Sequence, residues 1–174
     1  PLGQPTVVST TPIAPAFAGM SFGVDFNPVA DRLRIHGDLG QNHRLNAATG
    51  VNAVADAGTD TPLTYGDGGV PHIVATAYTN SVSPTPTSTT LYAIDSVNDS
   101  LVTFASPNNG IATVVGPLGF DVPDNAGFDI VGGTTGAVDG GAASVTTPTE
   151  AFAVFAVGAA SSPTLYRINL ATGA

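Results

Sequence analysis

Short apolar runs alternate with turn residues along the whole chain, and Gly, Pro or a β-branched residue interrupts every stretch before a helical period is established. The runs Ser21 to Asn27, His72 to Thr79, Thr90 to Asp95, Leu101 to Ala105, Ile111 to Gly116, Gly127 to Val131, Ala151 to Val157 and Thr164 to Asn169 each predict a strand. Turn signals separate them: Asn27-Pro28, Gly66-Asp67-Gly68-Gly69, Ser96 to Ser100, Pro107-Asn108-Asn109-Gly110 and Gly132 to Gly141. The Ser/Thr/Pro-rich stretch Ser81 to Thr90 predicts an extended loop.

The pattern repeats. His43-Arg44-Leu45-Asn46 precedes Ala47-Ala48-Thr49-Gly50, Leu91-Tyr92-Ala93-Ile94-Asp95 precedes Ser96-Val97-Asn98-Asp99, and Leu165-Tyr166-Arg167-Ile168-Asn169 precedes Leu170-Ala171-Thr172-Gly173. Each predicts a strand entering a tight turn, with Asn or Asp bonding its own backbone and Gly supplying positive φ. Ahead of each lies an apolar strand: Phe22-Gly23-Val24-Asp25-Phe26, Ile73-Val74-Ala75-Thr76-Ala77-Tyr78 and Phe128-Asp129-Ile130-Val131. An all-β fold follows, built from antiparallel meander repeats in three to four propeller-like units. The expected organisation is one domain over 1–174, with units near 21–58, 70–119 and 126–174 and an edge segment at 1–20. The spacing from Asn46 to Asp95 is shorter than that from Asp95 to Asn169, and the Gly-rich stretch after Val131 is the expected place for the excess.

Charge narrows the function classes. Four Arg and no Lys stand against thirteen acidic residues, for a net charge of -9, so nothing here could displace the counterions of a nucleic-acid backbone. Cysteine is absent, which excludes disulfides, thiolate metal sites and thiol nucleophiles. No run of eighteen apolar residues occurs, and Pro1 opens neither a basic nor an apolar leader region. The expectation is a soluble chain with any signal peptide removed. The acidic, lysine-free, Thr/Ala/Gly-rich composition points to an extracellular or cell-surface bacterial protein.

The stretch Phe22-Gly23-Val24-Asp25-Phe26-Asn27-Pro28-Val29-Ala30-Asp31-Arg32-Leu33-Arg34, with Gln41-Asn42-His43-Arg44-Leu45-Asn46 and Thr49-Gly50, closely resembles a bacterial family known as domain of unknown function 4394. Ala77-Tyr78-Thr79-Asn80, Leu91 to Asp95, Pro107 to Gly110 and Gly127-Phe128-Asp129-Ile130 extend the resemblance over nearly the whole chain. It implies exported proteins with propeller-like repeats and no established reaction. Against that family's longer array, Pro1-Leu2-Gly3 resembles the tail of a unit, as Pro117-Leu118-Gly119 does internally, and Ala174 falls within a hairpin. The chain is therefore expected to be cut within a unit at both ends.

Candidate chemistry is sparse. Asp25, Asp31, Arg32, Arg34 and Arg44 gather three of the four Arg beside carboxylates, which suits Arg gripping an anionic substrate while a carboxylate acts as base. The plainer reading is a structural network tying neighbouring strands. Calcium is a candidate ligand for Asp56, Asp60 and Asp67, for Asp95, Asn98 and Asp99, and for Asp121, Asp124 and Asp129, because hard cations take several carboxylate oxygens. Turn formation explains the same residues without a metal. His36, His43 and His72 show no metal spacing, and Asn98-Asp99-Ser100 is a formal glycosylation sequon on a turn. The expected role is structural, self-assembling or binding, possessing no cofactor; the alternative is a hydrolase or lyase on an anionic or carbohydrate substrate. The expected partner is a second copy, joined by strand pairing of Thr6, Val7 and Val8 with a neighbouring unit, and the expected assembly is an extracellular filament.

Overall fold

A computed structural model describes residues 3–52, 60–136, 145–157 and 162–174, together with their side chains apart from 133–136 and 145–148. The expected all-β class is what it has: among the described residues three sheets and a single 3-10 turn, Pro107–Asn109. No described helix is long and apolar enough to cross a membrane.

The first sheet is an antiparallel meander of β1 (Phe22–Asn27), β2 (Arg32–Gly37) and β3 (Asn42–Leu45). The middle sheet runs in the order β4-β8-β7-β6-β5, with β4 (Thr64–Tyr65), β5 (Ile73–Tyr78), β6 (Leu91–Asp95), β7 (Ser100–Phe104) and β8 (Ile111–Pro117). All its pairs are antiparallel except β4 with β8. The last sheet is again a meander, of β9 (Ala126–Gly136), β10 (Val145–Phe155) and β11 (Thr164–Ile168).

The strand readings match the structure closely; the two-residue β4 was not predicted, and three further differences stand out. Strand β2 alternates Arg32, Arg34 and His36 with Leu33 and Ile35, so its period-2 alternation places charged groups where a search for apolar runs overlooks it. Strand β9 continues through Gly136, where the Gly-rich composition predicted a turn from Gly132. Counted from β1, β5 and β9, the repeated turn motif ends the third strand of the outer two sheets but the second of the middle sheet, which accounts for much of the uneven spacing.

Short connections recur with one chemistry. The side-chain oxygens of Asn27, Asn46, Asp95 and Asn169 accept N–H bonds from residues two positions on, at 2.9 to 3.0 Å. The fifth residue of each turn, Asp31, Gly50, Asp99 or Gly173, has φ of 51°, 66°, 48° or 87°. An Asx bond at the start and a left-handed residue at the end close the hairpin within five residues.

Strands β5 to β7 of the middle sheet are buried on both faces, whereas Ile111 and Val114 of β8 stay half exposed. All six residues of β5 are buried, and β5 lies against β1 on one side and β9 on the other. Ala75, Ala77, Ile94 and Leu101 meet Ile130, Ala153, Phe155 and Ile168 of the last sheet in one core. Ile73, Tyr78, Leu91, Val102 and Phe104 form a second core, with Leu63 and Ala112. Phe155 and Leu101 are fully enclosed, each worth about 1.5–3 kcal/mol relative to exposure. Phe22 and Phe26, though part of an apolar strand, stay 38% and 50% exposed on the side of the first sheet away from β5.

The N-terminal segment joins no strand among the described residues. Val7 and Val8 are exposed, Val8 lines a groove with Leu33, Leu45 and Gly50, and Phe17 packs on Phe22 and His43 with ring centroids 5.4 and 4.5 Å apart.

Candidate functional site

The most charged buried region lies where the first sheet meets the connection at 60–63 and the turn at 106–109. Alternation along β2 sends Arg34 and His36 to one face, and register brings Arg44 and Asn42 of β3 beside them. Arg34 is 1% exposed, and its whole guanidinium is engaged. Nη1 donates to Asp60 Oδ2 at 2.6 Å and Asn42 Oδ1 at 2.7 Å, Nη2 to Asn108 Oδ1 at 2.7 Å, and Nε to the Tyr78 hydroxyl at 3.4 Å. Arg44 Nη2 meets the other oxygen of Asp60 at 3.2 Å. Asn42 in turn donates to the carbonyls of Thr61 and Pro107 at 2.9 and 2.8 Å. One guanidinium thus pins four separated segments of chain, using the planar fork that Lys lacks.

The structure unites only part of the proposed acid/base cluster. Arg34 and Arg44 share Asp60, a residue the sequence suggested for calcium. Asp25 lies on the same row as Arg34, but its carboxylate accepts the N–H of Tyr78 at 2.6 Å and of Phe26 at 2.7 Å. Burial raises the pKa of Asp25, against the pull of those two N–H bonds, and the charge of Asp129 adds to the rise. Asp31 and Arg32 lie outside the cluster: Arg32 donates to the carbonyls of Ala30 and Asp31 in its own turn. The remaining partners, Asn42 and Asn108, were missed from sequence; Asn42 shares the alternating face of β3 with Arg44, whereas nothing local marks Asn108.

The calcium candidates are likewise dispersed. Asp67 Oδ1 accepts Gly69 N, Asp99 Oδ1 accepts Val122 N, and Asp124 Oδ1 takes the Ser96 hydroxyl at 2.6 Å with His72 at 3.4 Å. Asp95 is fully buried, accepting from Val97 N, Asn98 N, the Asn98 side chain and the Tyr65 hydroxyl. Burial and that carboxylate push the Tyr65 phenol well above its ordinary pKa. Asp121 is exposed, Asp129 stands on β9, and Asp56 lies outside the described residues. Among the described residues no three His, Asp or Glu side chains are grouped to hold a metal ion. Asn98 is exposed on its turn.

Two clefts adjoin these networks. One of about 450 Å3 is lined by Gln41, Asn42, His43 and Asp60, and one of about 650 Å3 by Tyr65, Asp67, Asn98 and Ser100. In the first, both Asp60 oxygens are already taken by Arg34 and Arg44, so the carboxylate is poorly placed to remove a substrate proton.

His36 reports on the same interior. Its Nδ1 lies 3.0 Å from Thr76 Oγ1, its ring is 4.9 Å from that of Phe104, and burial, aided by the Arg34 charge, lowers its pKa to about 3. The unfolded imidazole takes its proton near 6.5, so the unfolded state binds more protons between pH 6.5 and 3, and stability should fall with pH across that window by up to about 1.4 kcal/mol per unit. His43, also lowered by burial, acts in the same direction; Asp25, whose folded carboxyl retains its proton longer than the unfolded one, opposes it at the acid end. Thermal unfolding should show Tm dropping from pH 7 to pH 5, and a constant Tm would contradict the buried neutral imidazole.

Searches of the curated proteins and of the solved structures return no match. The family whose model matches is described as Domain of unknown function (DUF4394), and it covers residues 2–174. Spanning the whole of the charged network and all three sheets, that match establishes that the chain belongs to the DUF4394 family.

Proposed function

We propose that the chain is a propeller-like β-repeat module with a structural, self-associating role outside the bacterial cell, rather than an enzyme. The observation that carries this reading is the internal use of the charged cluster: Arg34 has four partners and 1% exposure, and Asp60 is held by two Arg. Groups so engaged hold sheets together and present little to a substrate. Successive sheets stacked through the strands β1, β5 and β9 support the propeller-like comparison. The acidic, lysine-free composition supports export.

Sedimentation velocity over a concentration series tests self-association. Species heavier than the 17.2 kDa chain should accumulate as concentration rises. A monomer at every concentration would overturn self-association, and turnover of a polysaccharide by the wild type would favour the hydrolase or lyase reading instead.

A further inference from the structure

The first and last sheets carry the same rows of side chains. Register aligns Asp25 with Arg34 and Arg34 with Arg44 in the first sheet, and Asp129 with Phe152 and Phe152 with Arg167 in the last. In both, an Asp on the first strand and an Arg on the third share a row. Each Asp follows a Gly by two positions, Gly23 or Gly127, and each Arg precedes by two the Asn that opens the shared turn. Both Asp side chains also adopt one conformation, Oδ1 accepting the next residue's N–H at 2.7 Å from Phe26 and 2.9 Å from Ile130.

This equivalence defines a front, the side of the Gly and Asp, and a back. The front of the first sheet is occupied by β5. A Cβ on Gly23 would stand 2.6 Å from the backbone nitrogen of Thr76, and Asp25 Oδ2 accepts Tyr78 N. The back of the last sheet, with Phe128 and Ile130, packs on the other side of the middle sheet. The middle sheet therefore lies between the front of the first sheet and the back of the last. The two remaining faces are a back, which Phe17 and Val8 of the N-terminal segment cover only in part, and a front. On the first sheet, Val24 and Phe26, equivalent to Phe128 and Ile130, are about half exposed, 52% and 50%. On the last, Gly127 has nothing within 4 Å of a Cβ position, and Asp129 Oδ2 has no hydrogen-bond partner among the described residues.

We infer that these two faces are halves of one interface, and that the first sheet of a second copy docks its back on the front of the last sheet, head to tail. The Val24 and Phe26 side of the incoming β1 continues the internal stacking. Gly127 leaves room for close backbone approach as Gly23 does, and Asp129 takes a backbone N–H as Asp25 does. Because the two patches differ, the contact is heterologous and propagates to a ring or a filament. The inference rests on the self-association proposed above and names its surface.

Gly127→Val and Val24→Lys test it by sedimentation velocity on the full chain. Among the described residues nothing lies within 4 Å of a Cβ at 127, and Lys replaces a half-exposed residue, so both variants should keep the wild-type Tm within a few degrees while losing assembly. An equimolar mixture should form a dimer and nothing larger, since Gly127→Val retains an intact back and Val24→Lys an intact front. Asp129→Ala should weaken association about tenfold. Wild-type assembly unaffected by either variant, or folded variants that fail to pair when mixed, would overturn the inference while leaving self-association standing. Loss of assembly only on deleting residues 1–10 would assign it to strand pairing by Thr6, Val7 and Val8. A wild type that never assembles would overturn both.

Discussion

Replacing Arg34 by Ala should cost about 3–5 kcal/mol, the usual penalty for breaking a buried ion pair and leaving its partner without compensation. Asp60, with a side chain 4% exposed, would lose its nearer cation, and Asn42 and Asn108 would each lose a donor at 2.7 Å. For a domain of this size the loss corresponds to a fall in Tm of roughly 10 °C, measurable by calorimetry or circular dichroism. Arg34→Lys should recover only part of it, because an ammonium on a flexible stem cannot reproduce the fork that reaches Asp60, Asn42, Asn108 and Tyr78 together. Arg44→Ala should cost far less, about 1 kcal/mol, since Arg44 is more exposed and its contact with Asp60 is longer, at 3.2 Å. Equal costs at the two Arg would mean that the network does not centre on Arg34.

Gly23→Val should prevent folding altogether. The added Cβ would meet the Thr76 nitrogen and Cβ at 2.6 Å and the Ala75 carbonyl carbon at 2.7 Å, and two of these are backbone atoms of a strand paired in the middle sheet. Relief would require β1 to move off β5, opening the face that carries Asp25, Arg34 and His36. Such overpacking belongs with the largest destabilisations that single substitutions produce, above about 4 kcal/mol. Circular dichroism and proteolysis of the expressed variant read the outcome directly, and a variant folded with wild-type Tm would show that the first two sheets are not in the contact described. Gly127→Val, at the equivalent position of the last sheet, is the matched control, because among the described residues nothing lies within 4 Å of a Cβ there.

Much of the architecture was legible from apolar runs and turn chemistry. The Asx turns at Asn46, Asp95 and Asn169 could be read because an Asn or Asp oxygen and a left-handed residue a few positions later are local signals. Strand β2 escaped because its buried face is polar: Arg34 and the Nδ1 of His36 find their partners in Asp60, Asn42, Asn108 and Thr76, residues 8 to 74 positions away, and no local pattern announces a partner at that distance. The acidic side of the cluster was misjudged for the same reason. Asp25, Asp31 and Arg32 are close in sequence to Arg34, yet Asp25 turns to backbone N–H groups and Arg32 to its own turn, while Asp60 arrives from across the fold. The exposure of Phe22 and Phe26 was equally hidden, since alternation shows that a strand has an apolar side but not what covers it.

Hydrogen exchange on the wild-type chain, followed peptide by peptide at low and high protein concentration, addresses the head-to-tail stacking most directly. Backbone amides of β5, buried between two sheets, should exchange slowly at both concentrations, whereas Phe22–Asn27 and the first half of β9 should become slower together as concentration rises. Exchange independent of concentration, or slowing confined to the N-terminal segment and Thr164–Ile168, would contradict docking between the back of the first sheet and the front of the last.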